Sequence, residues 1–161
     1  MSQSLAQIDL QALLSGTPVG QLDLTQVPLL AREQTLSDAA TAMREVRHGS
    51  ALVCEAERLV GIITERDVLR AAGDGDRMNA TVDTVMTPRP RTLSLDDTVL
   101  NAVQWMDRGG YRRLPVVDAD GCPVGLIDVM TVVNFLVEQI PSTVYNQASR
   151  KMLTVQQCEG A

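Results

Sequence analysis

A threonine and an aspartate three residues apart, Thr64 and Asp67, form the first chemically interpretable pattern in the sequence. They follow an apolar run that ends at Ile63, where the residue pattern predicts that a strand gives way to a helix. Asp67 then falls in the first helical turn, where its carboxylate can accept hydrogen bonds from both hydroxyls of a ribose. A helix N-terminus there also suits an anion. The alternative is structural: Thr64 caps the helix, and Asp67 offsets its dipole.

Three basic residues precede other predicted strands. Arg112 and Arg113 come directly before the apolar run 114–117, and His48 comes just before the run 51–54. An arginine fork can bind two oxygens of an anion in charge-assisted hydrogen bonds, and the alternative is a pair of solvated loops. Catalysis by His48 is disfavoured, because no nucleophile or carboxylate partner is recognisable in the sequence.

All of these residues lie in an internal repeat, with one copy over residues 19–73 and the other over 82–139. Each copy has the predicted order β-α-β-β-α, and Thr35 and Thr98 are the expected N-caps of the first helices. The copies are 63 residues apart at these helices and 64 apart later. We place the one-residue insertion that this requires at residues 107–110.

This pattern predicts a mixed α/β (α+β) fold. A three-stranded sheet with helices on one face leaves its other face bare, and so small a unit buries too little surface alone. Two repeats packed sheet to sheet, with pseudo-twofold symmetry, would solve this and would open clefts where the sheets meet. The predicted organisation is an N-terminal helical segment (1–16), two repeats (17–78 and 79–140) and a C-terminal tail (141–161).

Composition narrows the function. The net charge of −6 opposes nonspecific nucleic-acid binding, and an aromatic content of 2% opposes base stacking. No apolar run is long enough to span a membrane, and nothing resembles a signal peptide. Cys54, Cys122 and Cys158 are far apart in sequence, which disfavours a metal site. We therefore expect reduced thiols in a cytoplasmic protein.

The duplicated motifs resemble the CBS domain family in its paired form, the Bateman module. The resemblance is carried by residues 61–67 (GIITERD), 85–88 (VMTP) and 114–118 (LPVVD), followed by Gly125. It implies a regulatory homodimer that binds AMP, ADP or ATP, needs no cofactor, is not an enzyme and acts on an unknown partner protein. It assigns the ribose to Thr64 and Asp67, and the phosphates to Arg112, Arg113 and His48. The adenine slot that it implies consists of Leu29, Leu30, Ala51, Ile62 and Ile63, although core packing is the better interpretation for most of these.

The second repeat departs from the family pattern, because Asp128 replaces the threonine and Thr131 replaces the ribose aspartate. Asp128 is a good N-cap residue, so the second site is expected to be weak, empty or specialised. This departure keeps open a dimerisation adaptor that binds no ligand. A variant that binds S-adenosylmethionine is a further alternative, which the two arginines disfavour.

Overall fold

The computed structural model describes residues 9–75 and 77–140. Its helices are α1 (Leu10–Gly16), α2 (Leu36–Val46), α3 (Glu65–Gly73), α4 (Val99–Gly109) and α5 (Val129–Glu138). Its strands are β1 (Leu29–Ala31), β2 (Ser50–Glu55), β3 (Arg58–Thr64), β4 (Thr87–Pro88), β5 (Leu93–Ser94), β6 (Arg113–Val117) and β7 (Pro123–Asp128). Short 3₁₀ turns lie at Val19–Gln21, Arg77–Asn79 and Val82–Thr84.

The strands form two sheets, one for each repeat. The first has the order β1-β2-β3-β4, and the second has the order β5-β6-β7. In both sheets the first strand is parallel to the second, and a hairpin supplies the next antiparallel pair. The predicted β-α-β-β-α order and mixed fold are confirmed, but the first sheet has a fourth strand that the repeat pattern did not predict.

Local sequence fixes where the first helix of each repeat begins. The Thr35 hydroxyl accepts the Asp38 N–H at 3.1 Å, and the Asp38 carboxylate accepts the Thr35 N–H at 2.9 Å. Thr98 and Asn101 form the same reciprocal capping box at α4. Both predicted N-caps are confirmed, and each box satisfies amide donors that the helix itself leaves unpaired.

The segments that open the two repeats are exchanged between them. Val19 is fully buried in the hydrophobic core of the second repeat, and Val82 is fully buried in the core of the first. The strand β4, which follows Val82, pairs with β3 of the first sheet. Thr25 pairs in turn with Leu126 of β7, through reciprocal backbone hydrogen bonds of 2.9 Å. Each repeat therefore completes its fold with the opening segment of the other repeat.

A glycine lies beneath each exchanged segment. A Cβ atom at Gly61 would overlap the sulfur of Met86, and one at Gly125 would lie 2.7 Å from the Cβ of Leu24. Gly61 is the first residue of the GIITERD motif, and Gly125 is its counterpart in the second repeat. Close approach by the exchanged chain therefore gives the glycine a packing role, independent of any ligand.

The sheet faces opposite the helices are also covered. Side chains alternate along a strand, and Ala51 and Val53 of β2 belong to the core formed with the helices of the first repeat. Leu52, between them, points to the opposite face and is nevertheless fully buried, as is Leu126 in β7. The two hairpins also touch, since the Leu59 N–H donates to the Gly121 carbonyl at 3.0 Å. The predicted sheet-to-sheet arrangement explains this burial.

The structure places the one-residue insertion elsewhere than the sequence predicted. Ser50 pairs with Thr64 in the first hairpin, and Arg113 pairs with Asp128 in the second. The spacing between repeats is thus still 63 residues at β2 and β6, and becomes 64 only at β3 and β7. The extra residue lies in the turn between β6 and β7, so the prediction at 107–110 was wrong. Gly49 and Ser50 therefore correspond to Arg112 and Arg113, and His48 lies one residue before that position.

The predicted N-terminal helix is present as α1, whose N-cap Asp9 accepts the Ala12 N–H at 3.0 Å. Its Leu14 is buried in the core of the second repeat. Residues 1–8 of the predicted segment and the tail 141–161, which includes Cys158, lie outside the described residues. Within 9–75 and 77–140, no helix has the length and apolar character needed to cross a membrane.

Candidate functional site

The Thr64–Asp67 pair lies at the junction of β3 and α3, as the sequence predicts. Oδ2 of Asp67 accepts the Thr64 N–H at 2.9 Å and the Thr64 hydroxyl at 2.6 Å. Both side chains are half-buried, so solvent reaches part of each. Oδ1 of Asp67 accepts no hydrogen bond from the described part of the chain, which leaves one carboxylate oxygen open to an external donor.

Beside this pair runs the exchanged strand β4, where Thr87 faces Ile62 and Pro88 faces Gly61 in the register. The next residue, Arg89, has a left-handed backbone with φ of 46°. Arg66, in the first turn of α3, is exposed. The surroundings of the ribose candidates thus include chain from outside the first repeat.

The five adenine-slot candidates divide by burial. Leu30, Ala51 and Ile63 belong to the core cluster of the first repeat. Leu29 is 58% exposed, and Ile62 is half-buried on the face of β3 opposite to Ile63. Only these last two can present a side chain to a bound ring without leaving the core.

His48 joins the two repeats. Its Nδ1 lies 3.0 Å from the Ser50 hydroxyl, and its Nε2 lies 3.7 Å from the Asp128 carboxylate of the second repeat. Ser50 itself pairs with Thr64 across the first hairpin. His48 is therefore near the start of α5 and two residues from the partner of Thr64, between the two candidate sites.

The arginines occupy the corresponding edge of the second hairpin. Arg113 is half-buried and lies opposite Asp128 in the strand register, while Arg112 is exposed. Within the described residues, neither arginine hydrogen-bonds Thr64 or Asp67. The structure thus brings His48 and the backbone of Arg113 to Asp128, and their assignment to phosphates stays a prediction.

The second helix start is a closed hydrogen-bond network. The Asp128 carboxylate accepts the Thr131 N–H at 2.8 Å and its hydroxyl at 3.0 Å, which confirms the predicted N-cap. The hydroxyls of Thr131 and Thr25 lie 3.1 Å apart. Thr131, at the position equivalent to Asp67, is buried and already has partners on both sides. Burial pushes the pKa of Asp128 up, but the hydrogen bonds from Thr131 and the nearby imidazole of His48 outweigh it, so this pKa lies below its ordinary value.

A cavity of about 630 Å³ adjoins this network. Its walls come from residues 21–26 and from α5, and three of the lining residues are acidic: Asp23, Asp128 and Glu138. None of the described residues that line it is basic. The repeat pattern did not identify the 21–26 wall as part of a site, although this segment lies near the start of the first repeat as the VMTP motif lies near the start of the second.

We expect Asp128→Ala to lower the free energy of unfolding by about 1 kcal/mol, since the variant leaves the α5 amides without their cap. Chemical denaturation at neutral pH measures this. The control is Asp107→Ala, because Asp107 is exposed on the surface of α4. This substitution should change stability by less than about 0.5 kcal/mol.

The same substitution has a defined pH dependence. Because the folded-state pKa of Asp128 is lowered, its ionised form stabilises the fold above the unfolded-state pKa of about 3.9. This contribution is lost as the pH falls through the folded-state value. The stability difference between wild type and Asp128→Ala should therefore shrink below about pH 4. A difference that grows in acid would contradict the cap assignment.

The chain is similar to proteins of one known family. The family model described as "CBS domain" matches residues 19–74 and 82–138. An uncharacterized 17.7 kDa protein of Acidianus ambivalens is 32% identical over 123 residues, which cover 76% of this chain and 74% of that protein. The CBS domain-containing protein CBSCBSPB3 of Arabidopsis thaliana is 31% identical over 75% of this chain. The chain spans only 22% of the length of that plant protein.

Solved structures show the same fold. A CBS domain protein of Pyrobaculum aerophilum, PAE2072, complexed with AMP, has a TM-score of 0.65 and 25% identity over 71% of this chain and 88% of that one. CBSX2 of Arabidopsis thaliana, in complex with AMP, has a TM-score of 0.69 at 24% identity. That match covers 76% of this chain and 98% of the CBSX2 chain.

Proposed function

This chain belongs to the CBS domain family, and from that premise we propose that it is a regulatory module that binds an adenine nucleotide at Thr64 and Asp67. The single observation that carries the proposal is the half-buried Asp67 carboxylate, whose Oδ2 is held by Thr64 and whose Oδ1 accepts no hydrogen bond from any described residue. The AMP complex of the similar Pyrobaculum aerophilum protein supports the ligand class.

In this proposal, the ribose hydroxyls donate to Asp67 at the start of α3. Oδ1 takes one of them directly, and Oδ2 takes the other when the Thr64 hydroxyl rotates towards the sugar. Charge-assisted bonds to a carboxylate are about twice as strong as neutral ones. The exposed Leu29 and the half-buried Ile62 would then contact the adenine ring.

The phosphates would reach the boundary between the repeats. Ser50 pairs with Thr64, and His48 bonds Ser50 while facing Asp128. A phosphate extending from the ribose in this direction would meet His48, with Arg112 and Arg113 on the adjoining hairpin. A ligand held by both repeats can favour one relative arrangement of them, because it shifts the equilibrium by its differential affinity for the two states.

A second protein would bind and respond to the changed arrangement of the repeats. The module itself would act as a homodimer. Support for association comes from α5, whose outer surface exposes apolar side chains: Val129, Met130, Val133, Val137 and Ile140 just beyond it. An apolar row of this kind is typical of a contact surface. The cytoplasmic location expected from the cysteines also belongs to this proposal.

A dimerisation adaptor without a ligand is the second candidate. The closed Thr25–Thr131–Asp128 network favours it for the second repeat, since the ribose position there is filled by the protein's own hydroxyls. It predicts no response to any nucleotide.

Thermal unfolding with AMP, ADP, ATP or S-adenosylmethionine separates these functions. At 100 times its dissociation constant, a ligand of the folded state adds about 2.7 kcal/mol, or roughly 5–11 °C in midpoint for a chain of this size. We expect a nucleotide to produce this shift in wild type and in the control Asp107→Asn, but not in Asp67→Asn. A shift that survives in Asp67→Asn would overturn the ribose assignment. If no ligand shifted the unfolding midpoint, the dimerisation adaptor would be the remaining function.

A further inference from the structure

Two cysteines from different repeats lie on adjoining hairpins. Cys54, near the end of β2, is directly opposite Leu59 in the register of the first hairpin. The Leu59 N–H donates to the carbonyl of Gly121 at 3.0 Å, and Cys122 is the next residue. The fold thus places on adjoining hairpins two cysteines that 67 residues separate in sequence.

Both thiols are free and half-buried. They are close enough that charge on the Cys122 sulfur contributes to a raised pKa of Cys54, after the larger effect of burial. Neither cysteine belongs to the proposed nucleotide site, and Cys54 packs in neither hydrophobic core.

We propose that Cys54 and Cys122 form a redox modification site, in which a small-molecule disulfide joins them into a cross-repeat disulfide. One cysteine, as its thiolate, attacks the small disulfide and expels one thiol, giving a mixed disulfide. The second cysteine thiolate attacks the protein sulfur of that intermediate and expels the other thiol. The two cysteines are oxidised and lose two protons, and the small disulfide is reduced to two thiols.

The new bond would fix the β2–β3 hairpin to the β6–β7 hairpin. A disulfide requires Cα atoms roughly 4.4–6.8 Å apart, so the oxidised protein holds these turns at one separation. Any rotation of one repeat against the other would then be restricted. The inference does not depend on nucleotide binding, because neither thiol contributes to that site.

The surroundings of the pair predict a slow reaction at neutral pH. Burial raises the pKa of the Cys122 thiol, and the carboxylates of Asp118, Glu57 and Asp120 raise it further against the opposing charge of Arg58. The thiolate is the reacting form, so the rate of disulfide formation should increase as the pH rises. The reduced pair therefore persists until a disulfide oxidant is present.

The experiment uses the full chain with Cys158→Ser, which leaves only the two cysteines of interest. The protein is incubated with oxidised glutathione, and free thiols are then counted after denaturation and located by peptide mass spectrometry. We expect both thiols to disappear together, with Cys54 and Cys122 peptides linked and no glutathione retained. Dithiothreitol should restore both.

The double variant Cys54→Ser/Cys158→Ser is the matched control. Its single Cys122 has no thiol in the same chain that could resolve the mixed disulfide, so it should retain glutathione. Oxidation should also raise the unfolding midpoint of the two-cysteine protein and not that of the control. Independent glutathione adducts on the two cysteines, or thiols that stay free throughout, would overturn the proposal whatever the nucleotide experiment shows.

Discussion

Replacing Leu52 by alanine is expected to lower the free energy of unfolding by about 2–5 kcal/mol. Leu52 is fully buried on the sheet face turned away from the helices of its own repeat. Truncation leaves a cavity between the repeats, where the backbone of two sheets prevents full collapse. For a chain of 161 residues, this corresponds to a fall in midpoint of roughly 4–20 °C.

Leu69→Ala is the matched control, because Leu69 is 71% exposed on α3. Its loss should change stability by less than about 0.5 kcal/mol. Urea denaturation of both variants and wild type gives the comparison directly. Equal effects of the two substitutions would mean that the face bearing Leu52 is not covered as the sheet-to-sheet packing requires.

Val82→Asp should destabilise the first repeat by at least about 3 kcal/mol, because it introduces a carboxylate without a partner into a closed apolar core. Val82 opens the second repeat in sequence, yet it is fully buried with Leu36, Val53 and Ile63 of the first. The measurement is the unfolding midpoint, together with amide hydrogen exchange resolved along the chain.

Val46→Asp is the corresponding control at a half-exposed valine of the same repeat, where the effect should stay below about 1 kcal/mol. In Val82→Asp, exchange should accelerate first in β2 and β3. Acceleration confined to the second repeat would be incompatible with the exchanged segment.

The sequence predicted those parts of the fold that depend on local chemistry. Thr35 and Thr98 each stand three residues before a side chain that completes a capping box, and apolar spacing distinguishes helix from strand without reference to the rest of the chain. The duplicated order of elements then implied the sheet-to-sheet arrangement, since each sheet has a second face to cover.

The exchange of segments could not be predicted from the same signals. Residues 82–88 have no periodicity that distinguishes packing on the preceding repeat from packing on the following one. The insertion was misplaced for a similar reason: sequence alone aligns Ser50-Ala51 with Leu114-Pro115 as readily as with Arg113-Leu114. Burial of Ala51 and Leu114 in equivalent cores decides between them.

The candidate site was predicted in part. The position of Asp67 in the first turn of α3 follows from the strand–helix junction, and so does the Asp128 cap. The contact between Thr25 and Thr131 joins residues 106 apart in sequence, and the approach of His48 to Asp128 joins opposite repeats. Both depend on how the repeats meet, which no short motif records.

The exchanged segments also constrain how the protein is made. As the chain leaves the ribosome, the first repeat has all its helices by residue 73, but its core lacks Val82 and its sheet lacks β4. Val19, conversely, cannot be buried until the second repeat, whose core it joins, has been synthesised. The two halves are thus expected to fold late and together rather than one after the other, since contacts between distant residues slow folding. If the two repeats were expressed as separate chains, each chain would lack part of its own core.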